Sequence, residues 1–173
     1  MRVILLSLAF NVFWFAAVVG RSDWIPVLVL LLIGALLLDR ALYWAMPLFA
    51  VIGIVGDSVL SHLGILQFPH PHLPLWLCLM WAGFASYLWL LRDWLLSQKT
   101  WILLVAGSVG GMLSYLGGER LGAVTFGDPI EKTALILFGM WLMYTLLFLS
   151  MLRVLTRKTK PAIDNDAAMS LKK

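Results

Sequence analysis

Two stretches of an otherwise apolar chain carry residues able to do chemistry: Asp57, Ser58 and His62 in the first, and Ser114, Tyr115, Glu119 and Arg120 in the second. A carboxyl group near a phenol and a guanidinium is a set that can move a proton, bind a cation or hold an anionic headgroup. Asp57 most needs a reason. A carboxylate at the centre of a membrane helix costs roughly 2.5–3.5 kcal/mol on insertion scales, and less toward the interface. It is therefore expected to face protein or water. One reading is structural: a hydrogen bond between helices, or an ion pair with Arg120. The other is functional, with Asp57, Tyr115 and Arg120 around a cavity in the outer half of a bilayer.

Other signals are weaker. An extended His70-Pro71-His72 places two imidazoles on one side, and His62 or Asp57 could complete a metal site. No further Cys/His pair has metal-like spacing, so neither metal nor cofactor is expected. Glu119 and Arg120 read as a neutralising pair that closes a loop, with phosphate capture as the alternative. Asn11 is expected to bond another helix. Nucleophile elbow, H-E-x-x-H and dinucleotide fingerprints are absent from the sequence.

The elements that must position these groups follow from composition. Of 173 residues, 62% are hydrophobic and 13% charged, and the mean hydropathy is +0.93. A soluble domain of this size would leave much of that apolar surface in water, whereas a bilayer makes the surroundings apolar too. Crossing its hydrocarbon layer of roughly 30 Å takes about 20 helical residues. The expected fold is all-α: a polytopic bundle of about six transmembrane helices over residues 1–155, followed by a disordered cytoplasmic tail over 156–173.

The apolar runs are Val3 to Val19, Ile25 to Leu38, Ala45 to Leu63, Leu75 to Leu91, Trp101 to Gly118 and Ile130 to Leu152. The first is read as an uncleaved helix rather than a signal peptide, since Asn11, Trp14 and Phe15 lie inside it and further spans follow. Prolines at 69, 71 and 74 forbid a continuous helix between the third and fourth spans. Cys78 lies in an apolar run and reads as packing.

Orientation comes from the basic residues. Arg2, Arg40, Arg92, Lys99, Arg153, Arg157, Lys158, Lys160, Lys172 and Lys173 fall on the side of the N-terminus, and Arg21, Arg120 and Lys132 on the other, ten against three. The positive-inside rule then puts both termini in the cytoplasm. Trp24, Trp44, Trp76, Trp94 and Trp101 are expected at span ends, at headgroup level. The net charge of +4 lacks any basic stripe and suggests anionic lipid rather than nucleic acid.

Small residues form two stripes: Ala50, Gly53, Asp57, Ser61 and Gly64 in the third span, and Gly107, Gly111, Ser114 and Gly118 in the fifth. Such spacing lets membrane helices approach closely, so these two spans are expected to touch directly along the stripes.

Asn11-Val12-Phe13-Trp14-Phe15, Gly56-Asp57-Ser58, Trp76 with Trp81, and above all the run from Gly110 to Val124 (GGMLSYLGGERLGAV) resemble a bacterial membrane family, domain of unknown function 2878. The resemblance covers about residues 1–153. It departs at Met112, where the family usually has proline, and around Trp89-Leu90-Leu91, where polar residues are common. It implies a bacterial inner-membrane protein without an established activity. Family genes often neighbour those of cyclopropane-fatty-acid-synthase-type enzymes, which implies an envelope-lipid role. The expectation is a lipid-binding or scaffolding accessory, leaning away from an enzyme, with membrane lipids and peripheral lipid-modifying enzymes as partners. The alternative is a small intramembrane enzyme or carrier centred on Asp57.

Overall fold

The computed structural model describes the backbone of residues 1–170 and the side chains of residues 1–156. Its helices are α1 (Arg2–Gly20), α2 (Ile25–Leu38), α3 (Leu42–His62), α4 (Leu75–Leu90), α5 (Arg92–Ser97), α6 (Thr100–Arg120) and α7 (Ile130–Ser170), with two short strands, β1 (Leu66–Gln67) and β2 (Thr125–Phe126). The fold is the all-α membrane bundle expected. The tail anticipated over 156–173 falls largely outside the residues with described side chains, and its backbone to Ser170 continues α7.

Length and hydropathy single out Arg2–Leu38, Leu42–His62, Thr100–Arg120 and Ile130–Thr156 among the described residues as able to cross a membrane, with Leu75–Leu90 a shorter apolar helix. The 21 residues of α3 and of α6 rise about 31 Å, matching the hydrocarbon layer. Arg2–Leu38 is not one rod. A 3₁₀ turn over Arg21–Trp24 interrupts it, and Arg21 sits at φ 47°. Both α1 and α2 consequently lie against the 16-residue α4.

Neighbouring helices run antiparallel. Ser7 meets Tyr87 and Phe13 meets Gly83 across α1 and α4; Phe49 meets Trp89 across α3 and α4; Gly107 meets Thr145 across α6 and α7. The most extensive packing joins α3 to α4 and α6 to α7.

At one end of the bundle α3 and α6 stop in the same way. Gly64 (φ 74°) follows α3 and Gly122 (φ 69°) follows α6, in the left-handed region that glycine enters without a Cβ penalty. Ile65 N–H bonds Leu60 O and Gly64 N–H bonds Ser61 O; Ala123 N–H bonds Gly118 O and Gly122 N–H bonds Glu119 O. Each set is a Schellman stop that satisfies carbonyls the helix leaves free. The chain then runs straight into β1 and β2, which pair antiparallel, Leu66 with Phe126 and Gln67 with Thr125. This strand end therefore ties the tips of α3 and α6 together.

At the opposite end, the α5 end, Asp39 fastens the α2–α3 turn to the α4–α5 joint. Its carboxylate accepts from Ala41 N–H at 2.9 Å, Trp89 Nε1 at 3.1 Å and Arg92 Nη1 at 3.0 Å, and the Arg92 guanidinium lies over the Trp89 ring. Partial burial raises the Asp39 pKa, but the Ala41 N–H, Arg92 and Trp89 outweigh it and hold the group below its ordinary value. The lock is thus complete above the usual carboxylate range and is lost as pH falls through the depressed value.

Two expectations are corrected. The third and fifth spans, α3 and α6, do touch, through the Tyr115–Asp57 hydrogen bond, but their glycines do not face each other; a β-carbon at Gly53 would overlap the Trp81 ring of α4, one at Gly107 the Thr145 hydroxyl, and one at Gly111 the Trp141 ring of α7. Gly118 is buried and serves the end of α6. Trp24, Trp44, Trp76, Trp94 and Trp101 all lie near helix ends, the first two and last two exposed and Trp76 buried, edge-on to Phe68. Asn11 bonds Ser7 O on its own helix, not a neighbour.

Gly110 lies one residue from Gly111, yet a β-carbon there meets nothing within 4 Å. Gly111→Ala should lower stability by about 1–3 kcal/mol through overpacking, while Gly110→Ala should leave it unchanged or raise it. Thermal unfolding in detergent compares the two; equal midpoints would mean Trp141 does not occupy that notch.

Candidate functional site

Asp57 has no solvent-accessible surface, and each of its oxygens is used. Trp81 Nε1 donates to Oδ2 at 2.7 Å and Tyr115 OH donates to Oδ1 at 2.5 Å. The donors come from α4 and α6, so one carboxyl group joins three helices. Local sequence makes this reachable. Gly53, one turn before Asp57, leaves the surface of α3 bare, and the Trp81 ring lies on it. Gly56 likewise makes room for the Tyr144 hydroxyl of α7.

An aromatic cluster surrounds the carboxyl. Trp81 stacks on Trp141 with centroids 5.6 Å apart and planes 18° apart, and meets Tyr144 edge-on at 5.6 Å. Trp141 in turn presents its edge to Phe84 and Tyr144. Among the described residues, Trp141 Nε1 and Tyr144 OH are buried polar atoms without a hydrogen-bond partner; the Tyr144 hydroxyl lies against the bare backbone of Gly56.

Two cavities flank the cluster. The one toward the strand end has a volume of about 30 Å³ and is walled by Trp14, Trp76, Ser114 and Tyr115 among others. That is about the volume of one water, too small for a lipid chain or a drug-sized ligand. The other measures about 590 Å³ and lies between α1, α4, α5, α6 and α7. Phe10, Trp81, Phe84, Tyr87, Trp141 and Phe148 supply most of its aromatic wall, with Asn11, Ser114 and Thr145 as scattered polar groups. Trp14 Nε1 donates to Ser114 Oγ at 3.0 Å, and both residues line both cavities. That bond is the partition between them.

The large cavity opens sideways. Asn11, Ala106, Gly110 and Leu113 line it and are exposed, and α1 makes little packing with α6 beyond the Trp14–Ser114 bond. Along α6 it extends from Leu103 to Ser114, about 17 Å at the helical rise. One leaflet of hydrocarbon is about 15 Å deep.

Of the polar residues expected to gather in the outer half, the structure brings Asp57 and Tyr115 together, with Ser114 on the neighbouring face of α6. Ser58 is exposed and bonds Ile54 O, and His62 is exposed. Arg120 is exposed at the end of α6 and does not reach Asp57; among the described residues the ion pairs are Asp39–Arg92 and Asp128–Lys132. Glu119 therefore forms no ion pair with Arg120. The loop after α6 is closed instead by Arg21, whose Nη2 donates to Leu121 O at 2.9 Å. His70 and His72 are exposed, and no three His, Cys, Asp or Glu among the described residues stand together as a metal site.

Trp81 is not among the partners expected for Asp57, nor are Trp141 and Tyr144 expected as rings packed on Trp81. A signal exists: Trp14 and Trp81 fall inside spans rather than at their ends, and an indole N–H away from water needs an acceptor, here Ser114 and Asp57.

The family model described as "Protein of unknown function (DUF2878)" matches residues 3–147, and the chain belongs to that family. No curated protein and no solved structure matches it.

Asp57→Ala would orphan two buried donors, at about 1–3 kcal/mol each. Asp57→Asn keeps an acceptor for Trp81, and the Tyr115 hydroxyl can rotate to accept from the new amide. The expected order of thermal stability in detergent is wild type, then Asn, then Ala by a clear margin. An alanine variant as stable as wild type would remove the carboxyl from its role in the fold.

Proposed function

We propose that this family member is a lipid-binding integral protein of the bacterial inner membrane, with both termini cytoplasmic, serving as an accessory to envelope-lipid modification. The observation that carries the reading is the side-opening cavity of about 590 Å³, within the usual range for small-ligand sites and about one leaflet deep. An aromatic and aliphatic slot that opens at membrane depth suits an acyl chain. The basic bias of ten residues against three supports the orientation. It makes the α5 end, where the cavity lies, the cytoplasmic end. Peripheral lipid-modifying enzymes are the partners this reading implies, approaching from that face.

Asp57 acts here as a fastening. It is enclosed and lines neither cavity, so the reading does not place chemistry on it.

Gly110 gives a clean test, because its missing side chain points into open space. Wild-type protein extracted from bacterial membranes in mild detergent should carry lipid in native mass spectra. Gly110→Trp should keep the wild-type thermal transition and lose about tenfold of that lipid. Equal lipid on both proteins would mean that the cavity is not where lipid binds.

A further inference from the structure

We infer that the cavity takes one acyl chain of an anionic phospholipid, drawn from the leaflet at the α5 end, with the headgroup held by Lys99 and Arg153. The inference rests on the lipid-binding reading and adds to it the headgroup class and the leaflet of origin.

The direction follows from how the cavity is closed. Its far end is shut by the Trp14–Ser114 bond and the buried aromatic cluster, so a chain inside must terminate near mid-membrane. The near end is bounded by Trp94, Leu95, Leu103 and Leu152, where α5, the start of α6 and α7 come together. A chain whose tip abuts Trp14 and Ser114 would leave its glycerol and headgroup level with these residues. Trp94 is exposed at this mouth, where an indole suits the headgroup level. A lipid from the opposite leaflet would have to pass the partition, beyond which the space shrinks to about 30 Å³.

The charge follows from what surrounds the mouth. Lys99 immediately precedes α6 and is exposed; Arg153 immediately follows Leu152 and is exposed. Arg153 Nη2 donates to Thr100 Oγ1 at 2.7 Å, which fixes the guanidinium beside the start of α6 and, among the described residues, uses one of its five donors. Lys99 makes no ion pair among the described residues. Asp93, exposed on α5, opposes them, while Arg92 is already neutralised by Asp39. Among the described residues, two cations stand here against one carboxylate, and with an oriented guanidinium they suit a phosphate diester. Both lipids carry that diester, but the ammonium of phosphatidylethanolamine offsets its charge and is repelled by the two cations, so phosphatidylglycerol should be preferred to phosphatidylethanolamine of the same chains.

Delipidated protein titrated with these two lipids and read by native mass spectrometry tests the inference, with Lys99→Gln, Arg153→Gln, the double variant and Gly110→Trp alongside. Wild type should favour phosphatidylglycerol by about tenfold, equivalent to about 1.4 kcal/mol. The double variant should reduce that preference to within about twofold, the Lys99 variant should fall between, and Gly110→Trp should lose both lipids. Equal binding of the two lipids by wild type, abolished by Gly110→Trp, would overturn the headgroup assignment and leave the lipid-binding reading standing. A preference that survives in a folded double variant would also overturn it. No binding of either lipid would sink both.

Discussion

The rest of this bundle depends on a carboxyl group that lipid cannot solvate. Asp57 stands in the third apolar helix, and the surrounding acyl phase offers no hydrogen bond, so its partners must come from protein. Trp81 and Tyr115 meet that demand from two different helices. Meeting it has consequences beyond the pair. Trp81 can reach the carboxyl only by lying against the bare backbone of Gly53, and its other face then carries Trp141, whose ring fits the notch at Gly111. One polar side chain thereby sets the placement of α3, α4, α6 and α7. Lipid provides no hydrophobic drive for helix association, which makes such specific contacts the main source of order.

Much of the architecture was legible because a bilayer restricts the alternatives. Six apolar runs and the prolines after position 68 mark where the long helices start and stop, and the structure follows them closely, with Gly64 closing α3 rather than extending its stripe. What could not be read was which surface each helix presents to which neighbour. The spacing of Gly53, Gly107 and Gly111 announces bare patches, but a bare patch receives a backbone or an indole equally well. The sequence pattern suggested the former, and the structure uses the latter. Charges at a helix end were similarly ambiguous. Arg120 lies nearer Asp57 in the reading of spans, yet the cation that closes the loop is Arg21, placed there by a turn with positive φ that hydropathy does not register.

The two ends of the bundle are built differently, and the candidate site follows from that difference. At the strand end, paired β1 and β2, the Arg21–Leu121 contact and the Trp14–Ser114 bond draw the helices together. Toward the α5 end, α1 and α6 diverge around Gly110 and Ala106. Asp57, Tyr115 and Ser114 thus hold helices together toward the strand end, while the space lies in the half whose walls are mostly aromatic and aliphatic. Residues conspicuous for cost and residues available to a ligand are here separate sets.

The stacked indoles of Trp81 and Trp141 form part of the cavity wall and are held nearly parallel, at 5.6 Å between centroids. Two aromatic chromophores fixed that close in a chiral setting couple their electronic transitions, and near-ultraviolet circular dichroism reports whether such packing is intact. A molecule that presses on either ring alters their mutual angle and hence the sign and size of the ellipticity. The chain therefore contains its own optical gauge of whether the space beside those rings is filled, with no dye attached.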